Sequence, residues 1–218
     1  MTTRDDRETG RTPGNHMLAF ALDLPNLMTL AGLCCGMLAI YFAHLHSYPA
    51  AMIALLWAAF FDWFDGPVAK LMRGRSSEFG AFGGQLDSLA DLVSAGVAPA
   101  LILLSVGARA PVFLAAAIYL VCAGAIRLAY FNIHGLREDG TYAGVPIGVN
   151  IILMPLAFLL HGMMSTDHFR WVVFGTVVLG ATLNIAPIRF VKLTGGWYVA
   201  VACYVLALSV FYVSRMIS

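Results

Sequence analysis

Apolar residues in this chain gather into long runs separated by short polar connections. Runs near the roughly 20 residues that a helix needs to cross a bilayer extend from about Leu27 to Leu45, Tyr48 to Leu71, Gly84 to Val106, Ala110 to Phe131, Ile147 to Met163, His168 to Ala186 and Trp197 to Val213. This pattern predicts an all-α fold, a polytopic bundle of seven transmembrane helices, with six and eight as the bounds of that count. Residues 17–218 read as a single transmembrane domain without internal repeats. Met17 to Leu24 predicts an interfacial helix leading into the first span.

The first sixteen residues differ in kind. They carry Arg4, Arg7 and Arg11 with Asp5, Asp6 and Glu8, and no apolar run, so they read as a flexible solvated tail rather than a signal peptide. Over all 218 residues, 60% are hydrophobic and 11% charged, less than half the charged share of a globular chain. Water is therefore not the main solvent. A net charge of +1 excludes a strongly basic nucleic-acid binder. The four cysteines, among them Cys34, Cys35 and Cys122 inside apolar runs, exclude a disulfide scaffold and read as small core residues.

Lysine and arginine concentrate in short cytoplasmic loops. With the tail inside, Arg4, Arg7, Arg11, Lys70, Arg73, Arg75, Arg127, Arg137, Arg189 and Lys192 fall on the cytoplasmic side, against Arg109, Arg170 and Arg215 outside. That bias predicts an inner-membrane protein whose long polar connections, from Arg73 to Gly83 and from Asn132 to Pro146, face the cytoplasm.

Few ionisable residues sit within the spans, where charge is costly: Asp62, Asp65, Lys70, Asp87, Asp91 and Arg127. Asp62 and Asp65 are three apart, Asp87 and Asp91 four apart, so each pair shares one helix face. The two spans are consecutive and antiparallel, which brings both pairs to one depth. Four carboxylates there repel one another unless a counter-charge is present. Oxygen-only ligation suits Mg²⁺ or Mn²⁺, with Ca²⁺ as a non-productive occupant; Zn²⁺ would favour His or Cys. Two such ions form the clamp used in phosphoryl transfer. The same carboxylates also fit an ion or proton transporter, and small residues around them also fit helix packing. An aspartyl protease needs only two of the four.

The run Asp62-Trp63-Phe64-Asp65-Gly66-Pro67-Val68-Ala69-Lys70, followed by Gly83, Asp87 and Asp91, resembles the signature of the CDP-alcohol phosphotransferases, D-x-x-D-G-x-x-A-R, a spacer, then G-x-x-x-D-x-x-x-D. Gln85 to Ser94 with Gly96 to Ala100, Leu24 to Leu30 and Arg127 to Asn132 are similar to the phosphatidylserine synthase branch. The resemblance covers about residues 24–146, the catalytic core. In two places the chain departs from it. Lys70 stands where the family has Arg, which loses the bidentate fork, and twelve residues rather than eight separate Lys70 from Gly83, about one helical turn more.

The resemblance implies a membrane transferase, dependent on two ions of Mg²⁺ or Mn²⁺ and working as a homodimer in phospholipid biosynthesis. Serine attacks CDP-diacylglycerol, giving phosphatidylserine and CMP. It implies metal ligation by Asp62, Asp65, Asp87 and Asp91, with Asp91 as general base. It also implies a CDP pocket of Asn26, Thr29, Asp62, Gly66, Ala69, Lys70 and Gly83. The alternative acceptors, glycerol 3-phosphate and inositol phosphate, ask for several cations, and only Lys70 and Arg127 lie inside the spans. Arg127, Asn132 and Arg137 are the candidates for contact with the acceptor or a phosphate, followed by the Tyr142 to Pro146 loop and His134. An ion pair with one of the Asp is the structural role open to Arg127. His44 and His46 read as interfacial, Trp63 and Phe64 as facing lipid or neighbouring helices, and Trp171, Trp197 and Tyr198 as an aromatic belt. Pro155 reads as a kink in the fifth span.

Overall fold

A computed structural model describes residues 17–72, 74, 76–107, 110–191 and 195–217. The tail, Arg73, Arg75, Arg109 and Lys192 lie outside the described residues. A short helix α1, Met17–Ala21, with Met17 and Leu18 exposed, precedes α2, Leu24–His44, and α3, Tyr48–Leu71. Both long helices carry Pro in the first turn, Pro25 and Pro49, where its missing N–H costs nothing. The buried face of α2, Thr29, Gly32, Gly36, Ala39 and Ala43, repeats every three or four residues. These small side chains let α3 approach closely: a Cβ on Gly32 would lie 3.4 Å from Phe61 Cβ and 3.5 Å from the Ala58 carbonyl.

The third span is one continuous helix, Ser77–Val106, of 30 residues, built from α4, Ser77–Asp91, a π-helical segment Leu92–Val97 and α5, Ala98–Val106. It begins seven residues before the apolar run, because the Ser76 hydroxyl caps the Phe79 N–H at 3.5 Å and the helix runs on through a polar stretch that hydropathy does not see. The π segment starts immediately after Asp91. Pro99 has no N–H for the carbonyl of Ala95 four residues earlier, and Asn150 Nδ2 donates to that oxygen at 3.1 Å instead. Asn150 donates also to Asn184 Oδ1 at 3.0 Å, and Asn184 donates to the Val145 carbonyl at 3.2 Å. This buried amide chain ties the third span to the second half of the bundle.

Next come α6, Pro111–His134, strand β1, Thr141–Ala143, α7, Val149–Phe158, α8, Thr166–Ile185, strand β2, Arg189–Val191, and α9, Gly196–Ile217. Among the described residues six helices are long and apolar enough to cross a membrane, which makes this an integral membrane protein. The exception is the fifth expected span. It is helical only over Val149–Phe158, ten residues, and ends in turns around His161. It still leads from Gly148, beside Asp62, to Phe158 and His161, beside Tyr48 at the far end of α3. Consequently α9 starts at the Asp62 end, near Trp63, and finishes at the opposite end with Arg215.

Two further expectations need correction. Cys34, Cys122 and Cys203 are exposed and Cys35 half-buried, so the thiols lie on outer faces of the helices and not in the core. Two short strands exist where only loops were expected, paired antiparallel with Thr141 opposite Val191, Tyr142 opposite Phe190 and Ala143 opposite Arg189. Pro155 is buried and its carbonyl accepts from Tyr212 Oη at 2.5 Å, a tie between α7 and α9.

Close helix approach sets the first prediction. A Cβ on Gly36 would sit 2.5 Å from Ser94 Oγ, whereas one on Gly175 meets nothing within 4 Å. Overpacking costs roughly 1–3 kcal/mol, so Gly36→Ala should lower the melting temperature of the detergent-purified protein by several degrees. Gly175→Ala should leave it unchanged or slightly higher, and equal melting of the two variants would contradict the packing account.

Candidate active site

Asp62 and Asp65 occupy the last turns of α3, and Asp87 and Asp91 the end of α4 next to the π segment. The two helices run in opposite directions, so the pairs meet. One carboxylate oxygen each from Asp62, Asp87 and Asp91 lies within 4.8 Å of the others. The Asp62 carboxylate faces Asp91, and that of Asp87 faces Asp65, close enough for their charges to interact. Asp65 stands to one side of the tight group, turned toward α2, where it accepts from Thr29 Oγ1 at 2.7 Å. Oxygens of like charge at this spacing repel unless a cation or a proton lies among them. Three convergent carboxylates with no His or Cys in the group fit a hard divalent ion.

A cavity opens on each side of the cluster. The smaller, about 140 Å³, is lined by Asp65 and Asp87 together with Asn26, Thr29, Gly66, Ala69 and Gly83. Five of the seven residues read as a CDP pocket thus share one wall. Asp62 belongs to the other cavity, and Lys70 is exposed and lines neither. A Cβ on Gly66 would meet nothing within 4 Å, so that wall stands open. Asn26 is buried, and its Nδ2 donates to the Phe20 carbonyl of α1 at 2.7 Å. Phe20 in turn packs on Phe79 at 4.5 Å and Phe82 at 5.3 Å. The longer connection after Lys70 is therefore partly helical: the first turns of α4 carry the rings that brace α1 over this cavity.

The larger cavity, about 460 Å³, contains Asp62 and Asp91 and is walled by Trp63, Tyr142, Phe190, Trp197, Tyr198 and Tyr204. Gly148 at the start of α7 approaches closely, since a Cβ there would lie 3.3 Å from Asp62 Oδ2. Tyr142 and Pro146, from the loop read as a candidate acceptor contact, line this cavity, whereas the aromatic residues of β2 and α9 on the same wall carry no such signal in the sequence. Tyr198, expected in an interfacial belt, is half-buried on this cavity, Trp197 lines it while 54% exposed, and Trp63 meets the neighbouring helix α9 as expected. Trp63 and Tyr198 meet edge to face at 6.3 Å. An apolar run that lines a cavity has the same composition as one that faces lipid, so no signal in the sequence separates them.

The basic candidates are dispersed. Arg127 is 7% exposed and close enough to Asp91 for their charges to interact, yet it forms no ion pair among the described residues. Its guanidinium lies over the rings of Phe131, at 4.9 Å, and Tyr142, at 5.5 Å. It lines neither cavity, and nor do Asn132 or Arg137. Asn132 Oδ1 accepts from Ser88 Oγ at 3.1 Å, and Arg137 is exposed at the start of the turn before β1. His134 packs on Tyr130 at 4.3 Å, and His46 Nδ1 pairs with Tyr48 Oη at 3.1 Å at the end remote from the carboxylates.

Comparison with known proteins gives this geometry a context. The sequence model of the CDP-alcohol phosphatidyltransferases matches residues 22–183. A CDP-diacylglycerol–serine O-phosphatidyltransferase of Mycobacterium bovis is 41% identical over 120 residues, which cover 54% of this chain and 40% of that protein. The chain thus spans about two fifths of the length of the mycobacterial relative. A protein of the same name from Helicobacter pylori is 34% identical over 76% of this chain and 70% of its own. Its Bacillus subtilis counterpart is 33% identical over 67% of this chain and 91% of its own. A match across both carboxylate pairs, from the start of the first span nearly to the end of α8, assigns this chain to the CDP-alcohol phosphatidyltransferase family.

Proposed function

We propose that this protein transfers the phosphatidyl group of CDP-diacylglycerol to the hydroxyl of serine, releasing CMP, at the cytoplasmic face of the inner membrane. The observation that carries this reading is the division of the carboxylates: Asp65 and Asp87 line the smaller cavity, Asp62 and Asp91 the larger. In-line displacement at phosphorus places the entering and leaving oxygens on opposite sides, and the two cavities supply two such sides. In this reading the nucleotide occupies the cavity of Asn26, Thr29, Gly66, Ala69 and Gly83. Thr29, by donating to Asp65, fixes that carboxylate at its edge. Lys70, exposed at the end of α3, meets a phosphate from outside the cavity. The names of the relatives support the donor and the acceptor.

The serine hydroxyl enters from the larger cavity, and Asp91, on that side, takes its proton as the new oxygen–phosphorus bond forms. The bond from the lipid-linked phosphorus to the oxygen of CMP breaks, and CMP leaves with the electron pair. Asp62, Asp87 and Asp91 are the residues that would hold a divalent ion, Mg²⁺ or Mn²⁺, with Asp65 beside them for a second. The bound ion supplies positive charge to the phosphate oxygens. Serine is favoured over phosphorylated acceptors, which ask for several cations, because Arg127, behind Tyr142 of the larger cavity, is the one buried cation among the described residues. A homodimeric state is part of the proposal on the family resemblance alone.

Two outcomes test the reading. Purified protein given CDP-diacylglycerol and Mg²⁺ or Mn²⁺ should release CMP only when serine is added. Release with glycerol 3-phosphate or inositol phosphate instead would overturn the acceptor, and ion flux in liposomes without CMP would favour transport. Asp91→Asn should lower kcat by on the order of 10²–10⁴-fold while CDP-diacylglycerol still binds. In a separate measurement, Mn²⁺ should raise the melting temperature of the wild type, by about 2.7 kcal/mol of stability at a hundredfold excess over Kd, and Asp87→Asn should abolish that shift. An equal shift in the variant would remove Asp87 from the ligand set.

A further inference from the structure

Arg127 is an unusual buried cation. Its Nε has no hydrogen-bond partner, and no carboxylate lies within ion-pair distance of it among the described residues, although Asp91 is within electrostatic reach. Two aromatic faces hold it instead. Phe131 is one turn further along α6 and follows automatically from helical spacing. Tyr142 does not: it comes from strand β1, outside any long helix, and the same residue forms part of the wall of the larger cavity that contains Asp91.

A two-stranded ribbon presents Tyr142. Tyr142 pairs with Phe190 of β2, and facing residues of an antiparallel pair project to the same side; both line the larger cavity. Asp139 fastens the turn before β1, accepting from the Thr141 N–H at 3.0 Å and hydroxyl at 2.6 Å, and meets Arg189 of β2 at 3.4 Å. These donors, the hydroxyl first, hold the Asp139 carboxyl below the usual carboxylate range. The partner strand, residues 189–191, lies beyond the segment that matches the family.

We propose that Tyr142 is a positioning residue for acceptor recognition: set by the β1–β2 ribbon, its ring holds the Arg127 guanidinium beside Asp91, where that cation receives the carboxylate of an amino-acid acceptor. Two ring faces fix the cation without neutralising it, as a carboxylate partner would, so its charge stays available to the ligand. The inference rests on the proposed reaction with serine.

The test is the serine KM set against kcat and against the KM for CDP-diacylglycerol. Tyr142→Leu, which removes the ring face, should raise the serine KM about tenfold and leave the CDP-diacylglycerol KM unmoved. It should also narrow the preference for serine over ethanolamine, which has no carboxylate. Tyr142→Phe, which keeps the face, should behave as the wild type. An unmoved serine KM in Tyr142→Leu, an equal rise for both substrates, or a Phe variant as impaired as the Leu variant would each overturn the inference. If Tyr142→Leu does not purify as a single species, Asp139→Ala, altered only on the exposed turn, should raise the serine KM in the same sense; no rise there counts against the ribbon. Wild-type protein that releases no CMP with serine sinks the proposed reaction and this inference together, whereas serine-dependent release with an unmoved KM in Tyr142→Leu sinks the inference alone.

Discussion

Four half-buried carboxylates held at one depth inside a membrane-spanning bundle repel one another, and the surrounding structure is organised around that constraint. Antiparallel α3 and α4 bring the pairs together, and Thr29 on α2 donates a hydrogen bond that turns Asp65 outward from the tight group of three. Among the described residues the one buried cation in reach, Arg127, is held by rings and not by the acids. Arg127 makes no ion pair with these acids among the described residues, so the group of Asp62, Asp87 and Asp91 keeps its oxygens for a divalent ion.

A second requirement follows from placing such a cluster on a helix that must also pack. The third span changes to π geometry directly after Asp91, and Pro99 leaves the Ala95 carbonyl unpaired. In a bilayer that carbonyl has no water to turn to. Asn150 answers it from α7, Asn184 supports Asn150 from α8, and Gly180 makes room, since any side chain there would strike Asn150 Oδ1. The amide chain therefore does two things at once. It pays the hydrogen-bond debt of the irregular turn and fixes the distance between the carboxylate helices and the elements that wall the larger cavity.

How much of this could be read in the sequence depends on what each feature costs. Asp62, Asp65, Asp87 and Asp91 were legible because intramembrane acids are expensive and their spacing leaves few arrangements. The small residues of the smaller cavity, Gly66, Ala69 and Gly83, were legible with them through the family signature. Long apolar runs gave six of the helices, with the start of α4 misplaced because a capping serine and polar residues carry it beyond the apolar stretch. The fifth span was overestimated, since hydropathy counts turn residues such as Leu160 and Met163 as readily as helical ones. Strands β1 and β2 and the place of Trp197 and Tyr198 on a cavity wall were illegible. Three-residue strands have no period to detect, and aromatic residues suit lipid and cavity alike.

The extra residue in the π segment has a consequence for how the third span tolerates change. An inserted residue rotates everything beyond it by about 100° around the helix axis, so the face that carries Asp87 and Asp91 is not the face that α5 buries in the core. The two halves of one span are thereby mechanically geared out of phase. Sequence drift that repacks Ile102 and Leu103 against α2 and α6 need not turn the carboxylates away from each other, and the helix can be under two independent selections along a single unbroken rod.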